Sequence, residues 1–345
     1  METKATKICF FNNKSGVGKT TNIFNIGWKL SEMGKKVLLV DADSQCNLTL
    51  LSIGIDKFEE YYQKDVTSDI KTALEPAFKS QTQLIKPVEC TEIKDNLYLM
   101  PGHIDLSTYE VQLGISFQIN SFTSMQNIPG SFNYLFETTA KKYDVDYILI
   151  DLNPSISAIN QAILLSSDFF IVPTSPDFFS LMAIKSLSNI LPKWEKWAIS
   201  AREHFSTAVY PFPTGIPKFL GYTVNDFNIR KSEPATNVKS MIEKIDQIIN
   251  DTLAPKLKQS NMILDTNINS SYRIAEIPNF NTLMQRSQEY SVPVFKLNNE
   301  QLNSVGTVLE NQQSSVESFN KTYSELSEKI KDIIKNEESN RSIEA

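Results

Sequence analysis

The chain has 345 residues and a 41% hydrophobic content, which suffices for a sizeable core and excludes a wholly disordered protein. Lys and Arg number 34 against 40 Asp and Glu, so the net charge is -6 and a constitutive nucleic-acid coat is excluded. A basic patch that forms in only one state stays open. Three separated cysteines and two histidines argue against a disulfide framework and a His-rich metal site.

The sequence also predicts where the protein works. No apolar run approaches the length of a membrane span, and residues 1–7 lack the apolar core of a signal peptide. Separated, unpaired cysteines are typical of a reducing compartment. We therefore expect a cytoplasmic protein that does not bind a membrane.

A glycine-rich segment, residues 12–21, lies between a predicted strand at 8–11 and a predicted helix whose apolar positions run from Ile23 to Met33. This context is typical of a phosphate-binding loop, because successive backbone N–H groups and the helix N-terminus can face an anion. A chance glycine-rich loop is the alternative. It would have to explain a strand, Gly-Lys-Thr and a helix start in this order.

Each residue type in this loop has a physical role. Gly16 and Gly18 allow a tight backbone turn. Lys19 is predicted to reach the β- and γ-phosphates, and the Thr20 hydroxyl to bind Mg²⁺. The predicted nucleotide-binding residues of the loop are Ser15, Gly16, Val17, Gly18, Lys19, Thr20 and Thr21.

Carboxylates follow two further predicted strands. The strand at 36–40 ends in Asp41 and Asp43, which point to the same side of an extended segment and would face the phosphate site. The strand at 147–150 ends in Asp151, a pattern typical of the Walker B acid that orders magnesium. Alone, such an acid is more often a helix N-cap or a loop residue. Together with the strand at 8–11 that leads into the glycine-rich loop, these two strands favour a nucleotide–magnesium site.

These motifs resemble the ParA/MinD ATPases. Residues 14–20, Lys-Ser-Gly-Val-Gly-Lys-Thr, resemble that family's deviant Walker A motif, K-G-G-x-G-K-T. Further similar stretches follow in the family's order, at 41–49 (D-x-D-P-Q-x-N-x-T), 97–102 (L-x-L-I-P-G), 151–155 (D-x-x-P-S), 171–181 and 291–294. The resemblance covers about residues 8–295 and indicates the ParA/Soj-like branch.

Three positions depart from the family pattern. Ser15 stands where the family has its first Gly, Ser44 where it has Pro, and Cys46 where it has Gly. Because Ser15 carries a Cβ and is disfavoured at positive φ, we expect an altered loop conformation there. No charged group is lost.

The resemblance implies an α/β fold, a three-layer sandwich with a mostly parallel, doubly wound sheet. It further implies an ATP-driven sandwich dimer in which Lys14 of one subunit contacts phosphates bound in the other. Asp43 would then position the attacking water, and Asp41 and Asp151 would support Mg²⁺ directly or through water. The alternative for Lys14 is a solvated loop lysine.

Two weaker assignments concern the base of the nucleotide. Asn225 ends the predicted strand at 219–225, and Pro278 lies in a later loop. In members of the family, residues at these places contact or flank adenine. The resemblance therefore implies that both bind the cofactor.

We predict one P-loop ATPase domain over residues 1–297, followed by a helical extension over 298–345 that packs on the same domain and frays over 340–345. Inserts are predicted near 58–92, as short helices or a plain loop excursion, and near 192–218. In the second insert, Trp194 and Trp197 share a helix face. Anchoring this insert to the core is favoured over forming a partner-binding patch.

The segment between the two base-binding candidates contains several basic residues, among them Arg230, Lys231, Lys239, Lys256, Lys258 and Arg273. In partition ATPases, basic residues in this half of the fold bind the DNA backbone of non-specific DNA, and dimerisation would double the phosphate contacts. An ordinary solvated surface is the alternative, because acidic residues intervene.

The resulting function prediction is a slow, partner-stimulated, Mg²⁺-dependent ATPase that forms a homodimer on binding ATP. Its leading use is DNA partitioning, with non-specific DNA binding in the ATP state and release by an activating protein partner. The alternative is a switch for a non-DNA partner, such as a cargo protein, a synthase or a defence-system effector. The acidic balance of the chain favours that alternative.

Overall fold

Eight strands form one twisted sheet in the computed structural model, which describes residues 4–63, 68–118, 125–230, 233–234, 236–264 and 272–344. The order across the sheet is β10-β7-β6-β1-β5-β2-β4-β3, and every neighbouring pair is parallel except β3 with β4. The strands of this sheet are β1 (Thr6–Phe10), β2 (Val37–Ala42), β3 (Thr91–Lys94), β4 (Leu97–Met100), β5 (Tyr147–Leu152), β6 (Phe169–Thr174), β7 (Lys218–Asn225) and β10 (Arg273–Ile277). A separate two-stranded ribbon joins β8 (Ile229–Arg230) to β9 (Glu233–Pro234).

Helices cover both faces of the sheet. They are α1 (Lys19–Glu32), α2 (Asn47–Ile53), α3 (Ile55–Tyr62), α4 (Ile70–Phe78), α5 (Glu110–Ser116), α6 (Ser131–Tyr143), α7 (Ala158–Ser166), α8 (Phe178–His204), α9 (Thr236–Ile248), α10 (Ala254–Gln259), α11 (Thr282–Tyr290), α12 (Asn299–Leu302) and α13 (Gly306–Glu344). Short 3₁₀ turns lie at Leu106–Tyr109 and Val294–Lys296, and a π-helical turn at Ile249–Leu253 joins α9 to α10.

Two hydrophobic cores confirm the predicted three-layer sandwich. Successive side chains of a strand point to opposite faces, so Ile8 and Phe10 of β1 enter one core and Cys9 and Phe11 enter the other. Helices α1, α2, α11 and α13 build the first core, and α4 and α6 to α9 build the second. Central strands such as β5 are buried along their whole length, as parallel strands with both faces covered must be.

The predicted helical extension consists of the short helix α12 and the long helix α13, and α13 packs on the α1 face of the sheet. Tyr323, Leu326 and Ile330 of α13 are buried against the first core. Val305 and Val308 are 85% and 56% exposed, so the packed face starts further along the helix than the apolar spacing predicts. The helix extends to Glu344, and the side chains from residue 340 onward lie outside the description.

Both predicted inserts have defined structures. The end of helix α3 and the whole of α4 lie in the first one, as the short-helix interpretation predicts. In the second, the Trp194 ring lies 5.5 Å from Phe11, and Trp197 donates Nε1–H to the Phe117 carbonyl at 2.9 Å. The tryptophans therefore fix this segment to the core. Within the described ranges, the structure contains no helix both long enough and apolar enough to cross a membrane.

Candidate functional site

The phosphate-binding loop joins β1 to α1 and takes its shape from two glycines. Gly16 and Gly18 have φ of +68° and +83°, in the left-handed region that favours glycine. Ser15 does not have a positive φ. The reason for expecting a change at Ser15 is thereby removed, because the positive-φ positions of the loop fall on its glycines, which tolerate them.

Two asparagines hold this loop in place. Asn12 accepts a hydrogen bond from the Lys14 backbone at 3.0 Å and donates one to the Pro173 carbonyl at 2.7 Å. Asn225 lies beneath the loop, 3% exposed, and donates Nδ2–H to the Val17 carbonyl at 2.9 Å. A Cβ on Gly18 would come within 3.3 Å of the Asn225 Cγ, so Gly18 is needed for space as well as for its φ.

A cavity of about 780 Å³ opens in front of the loop. This is within the usual range for a small-molecule site. Its walls come from the loop, from α2 and the residues on either side of it, from Pro154 and from α11. The lining residues are Ser15, Gly16, Val17, Gly18, Lys19, Thr20, Thr21, Asp43, Gln45, Asn47, Leu50, Leu51, Ile55, Pro154, Met284, Gln285, Gln288 and Glu289.

The two residues assigned to the base do not line this cavity. Asn225 is turned under the loop, and Pro278 borders a separate groove of about 620 Å³. Instead, Met284, Gln285 and Gln288 of α11 face the cavity, opposite α2. No sequence motif identifies these three residues, because α11 follows β10, far along the chain from the phosphate-binding loop, and is brought to the site by the fold.

Thr20 and Asp151 meet as predicted. The Thr20 hydroxyl donates to Asp151 Oδ2 at 2.6 Å. The other oxygen, Oδ1, is buried and has no hydrogen-bond partner among the described residues. Burial, reinforced by the negative charge of Asp41, raises the pKa of Asp151 well above its ordinary value. An orphaned carboxylate oxygen beside a hydroxyl fits Mg²⁺, which prefers oxygen ligands and keeps several waters.

Asp41 is already engaged by the chain. Its Oδ2 accepts from the Thr49 backbone at 2.8 Å and from the Thr49 hydroxyl at 2.7 Å, and its Oδ1 accepts from the Asp43 backbone at 3.2 Å. Burial raises the pKa of Asp41 to about 6 despite these bonds. A Cβ on Gly102 would come within 2.9 Å of the Asp41 Cγ, which explains the glycine that ends the similar stretch at 97–102. Asp41 therefore fixes the start of α2 through Thr49, whereas the neighbouring Asp43 lines the cavity.

The two lysines of the loop point in different directions. Lys19 is 7% exposed, lines the cavity, and has its pKa lowered by burial. Lys14 lies outside this cavity and forms an ion pair with Asp177 at 3.0 Å. It borders a neighbouring cavity of about 430 Å³. Asp43, 7% exposed, lines the main cavity and accepts from the Gln45 backbone at 3.0 Å.

The segment after β5 is held by two residues that the sequence analysis missed. Asn160 of α7 donates to the carbonyls of Asn153 and Ser155 at 2.9 and 2.7 Å. Glu110 of α5 accepts from the backbone of Ala158 and Ile159 at the start of α7. An Asn inside an apolar helix is a weak signal, and the sequence contains no signal that pairs Glu110 with a segment almost fifty residues away.

Those of the named basic residues whose side chains the structure describes do not form one cluster of free charges. Arg273 forms ion pairs with Glu276 at 2.6 Å and with Asp246 at 3.5 Å. Lys256 binds the Asn189 side chain at 2.6 Å. Lys239 and Lys258 are exposed. Lys231 and the side chain of Arg230 lie outside the described residues.

Comparison with known proteins places this geometry in a family. The profile of the AAA_31 family, described as an AAA domain, matches residues 5–201, more than half of the chain. The Bacillus subtilis sporulation initiation inhibitor protein Soj is 29% identical over 53% of this chain and 63% of its own length. The Caulobacter vibrioides chromosome partitioning protein ParA is 27% identical over 53% and 60%. The chain thus spans less than two thirds of these relatives.

The fold is shared over a longer stretch. The structure of pNOB8 ParA bound to nonspecific DNA superposes with a TM-score of 0.55 at 18% identity, covering 96% of this chain and 99% of that one. At this identity the likeness shows the fold alone. With the loop, the acidic strand ends and the family match, it confirms the resemblance seen in the sequence: the chain belongs to the AAA_31 family and is a ParA/MinD-like P-loop ATPase by family.

Proposed function

We propose that this protein is a Mg²⁺-dependent ATPase that hydrolyses ATP to ADP and phosphate and forms a homodimer on binding ATP. The observation that carries the proposal is the divergence of two lysines in one loop. Lys19 lines the cavity of its own chain, whereas Lys14 lies outside it and is 21% exposed at its side chain. A lysine at this place can serve a phosphate that another copy of the chain holds.

The remaining residues of the site fit phosphoryl transfer. Lys19 and the loop N–H groups hold the phosphates, and Thr20 and Asp151 hold the metal. Mg²⁺ held there would supply positive charge against the negative charge of the phosphates. Asp43 orients the attacking water and accepts its proton. Lys14 of the partner adds a second cation at the transferring phosphoryl group, so hydrolysis waits for dimerisation.

An exposed apolar patch beside Lys14 supports the dimer. Phe178, Phe179 and Met182 of α8 are 61%, 71% and 50% exposed, directly after Asp177, the ion-pair partner of Lys14. Adjacent exposed aromatic side chains are typical of a protein–protein interface. Dimerisation through this patch would bring Lys14 to the partner and release it from Asp177.

We propose DNA partitioning as the use of this switch, with non-specific DNA bound in the ATP state and released by an activating protein partner. The similarity to the Caulobacter vibrioides chromosome partitioning protein and to the structure of pNOB8 ParA bound to nonspecific DNA supports this use. Lys239 and Lys258 are exposed and available to phosphates. Two copies of each in a dimer would make the binding salt-sensitive.

A second candidate function is an ATP-dependent switch that acts on a protein partner and binds no DNA. Two observations favour it. Arg273 is neutralised by Glu276 and Asp246. The groove that Pro278 borders contains asparagine, serine, glutamine and aromatic side chains but no charged one among its lining residues. Such a surface suits a neutral polar partner better than a phosphate backbone.

The first experiment separates the roles of the two lysines. Lys19→Ala is expected to weaken binding of a fluorescent ADP analogue about 30-fold, because it removes a charged hydrogen bond worth about 2 kcal/mol. Lys14→Ala is expected to bind ADP as the wild type does and to stay monomeric with ATP and Mg²⁺ in light scattering. Equal loss of ADP binding in both variants would overturn the proposed role of Lys14.

The second experiment separates the two uses. Asp43→Ala should lower hydrolysis at least about 100-fold while it retains ATP, with the exposed Asp251→Ala as the control. Binding of this variant to non-specific duplex DNA is then measured across a salt series with ATP and with ADP. Salt-sensitive binding confined to ATP supports partitioning. A dimer that binds no DNA at any salt concentration rejects partitioning and leaves the second candidate.

A further inference from the structure

A chain of buried hydrogen bonds runs from the phosphate-binding loop to the C-terminal helix. Asn225 donates Nδ2–H to the Val17 carbonyl at 2.9 Å. Its Oδ1 accepts from Asn22 Nδ2 at 3.0 Å, and Asn22 Oδ1 accepts from the Tyr323 hydroxyl at 3.0 Å. These contacts join residues that are 208, 203 and 301 positions apart in the sequence.

The relay is entirely inside the protein. Asn22 is 1% exposed, Asn225 3% and Tyr323 0%. The Tyr323 ring packs against Phe280 and Phe295, and these apolar contacts hold its hydroxyl next to Asn22. Because an unsatisfied polar group is costly in such surroundings, each member helps to fix the orientation of the next.

Further hydrogen bonds hold the two asparagines of the relay. Both donate to the Thr223 hydroxyl, Asn22 at 3.3 Å and Asn225 at 2.9 Å, and Asn225 also donates to the Thr174 carbonyl at 3.1 Å.

The geometry of the peptide bond shows what the relay does to the loop. The Val17 carbonyl and the Gly18 N–H belong to one planar trans peptide, so they point in opposite directions. By holding the carbonyl below the loop, Asn225 turns the Gly18 N–H toward the cavity. Gly18, the left-handed glycine on one side of this peptide, would otherwise let it rotate more easily than a residue with a Cβ would.

We infer that Asn225, Asn22 and Tyr323 are positioning residues for phosphate binding and that α13 is thereby part of the nucleotide site. The inference rests on the proposed nucleotide binding. Because coupling between two sites is reciprocal, a nucleotide on the loop stabilises the packing of α13, and loss of the Tyr323 hydroxyl weakens nucleotide binding.

The test uses Tyr323→Phe, which removes one oxygen and keeps the ring. Its control is Asn320→Ala, since Asn320 binds Lys29 across the same pair of helices but is not joined to the loop. We expect Tyr323→Phe to weaken binding of fluorescent ADP about fivefold, the worth of one buried hydrogen bond. Asn320→Ala should bind ADP as the wild type does.

Amide hydrogen exchange gives the second readout. ADP should protect the α13 amides around Tyr323 in the wild type and in Asn320→Ala, but much less in Tyr323→Phe. Without nucleotide, the amides of residues 15–19 should exchange faster in Tyr323→Phe alone. This nucleotide-free arm reports on the loop even if the protein binds no nucleotide, so failure of the proposed function and failure of the relay give different results.

A double-mutant cycle guards against a simple loss of stability. Asn22→Ala and Tyr323→Phe should each weaken ADP binding, and the double variant should be no weaker than Asn22→Ala, because both act through one relay. Additive effects would overturn the inference. So would wild-type ADP affinity in Tyr323→Phe together with unchanged exchange of residues 15–19.

Discussion

At the residue scale, two departures from the family motif have opposite consequences. Ser15 replaces a glycine but lies at negative φ, so its Cβ costs nothing. Cys46 also replaces a glycine, and it does adopt a left-handed conformation, with φ of +54° directly before α2. It is fully buried. The strain that the motif predicts for Ser15 is therefore found at Cys46.

This strain predicts that the Cys46→Gly variant is more stable than the Cys46→Ala variant. A non-glycine residue at left-handed φ costs about 1–2 kcal/mol, and glycine in the unfolded chain costs about 0.4–1 kcal/mol relative to alanine. Both Cys46→Gly and Cys46→Ala lose the buried sulfur. Cys46→Gly should thus be the more stable by about 0.5–1 kcal/mol in urea unfolding. Equal stability, or a more stable alanine variant, would show that the left-handed conformation is not strained.

At the scale of elements, the segment between β5 and α7 follows Asp151, the acid proposed to hold Mg²⁺. Asp151 is in β5, and the next residues reach the cavity through Pro154. Helix α7 starts at Ala158, where the Glu110 carboxylate caps two backbone N–H groups from another helix. A carboxylate at a helix N-terminus also interacts favourably with the helix dipole. Glu110 therefore holds the segment in one arrangement.

Removing this cap should loosen the segment selectively. Glu110→Ala is expected to lower the free energy of unfolding by about 1 kcal/mol, as loss of an N-terminal cap does. Amides of residues 157–160 should exchange faster, while those of the phosphate-binding loop should not change. Val111→Ala, at the neighbouring exposed position of α5, is the matched control. Uniform acceleration over the whole chain would instead indicate global destabilisation.

At the scale of the whole molecule, α13 completes the core on the α1 face of the sheet. Leu326 is 1% exposed and belongs to the same hydrophobic core as Ile8, Phe10 and Phe24. Without α13, this part of the sheet and α1 would face water. The extension predicted at 298–345 therefore shares one hydrophobic core with α1 and this face of the sheet.

This continuity predicts one cooperative unfolding transition. Leu326→Ala should lower the free energy of unfolding by about 2–5 kcal/mol, because it leaves a cavity in a shared core. Val308→Ala, at a 56% exposed position, should change it by no more than about 0.5 kcal/mol. Thermal unfolding of both variants decides the point. A separate low-temperature transition in Leu326→Ala, with the main one unmoved, would show that α13 folds independently.

The sequence by itself determined the phosphate-binding loop, the acidic strand ends and the family. These features are local: glycine spacing fixes a loop, an apolar run fixes a buried strand, and parallel strands bring their carboxyl ends to one edge. The rule places Asp151 beside the phosphate-binding loop, where the Thr20 hydroxyl at the start of α1 donates to it. The amphipathic helix of the extension was likewise predicted from the spacing of its apolar residues.

Only the tertiary structure decided which distant side chains serve this local site. Asn225 lies under the loop, α11 closes the cavity, Glu110 caps α7, and Tyr323 reaches Asn22 from the last helix. Each of these contacts depends on how segments far apart in the chain pack across the sheet. Such packing leaves no periodic or spacing signal, because a single buried polar residue looks the same in sequence wherever its partner lies.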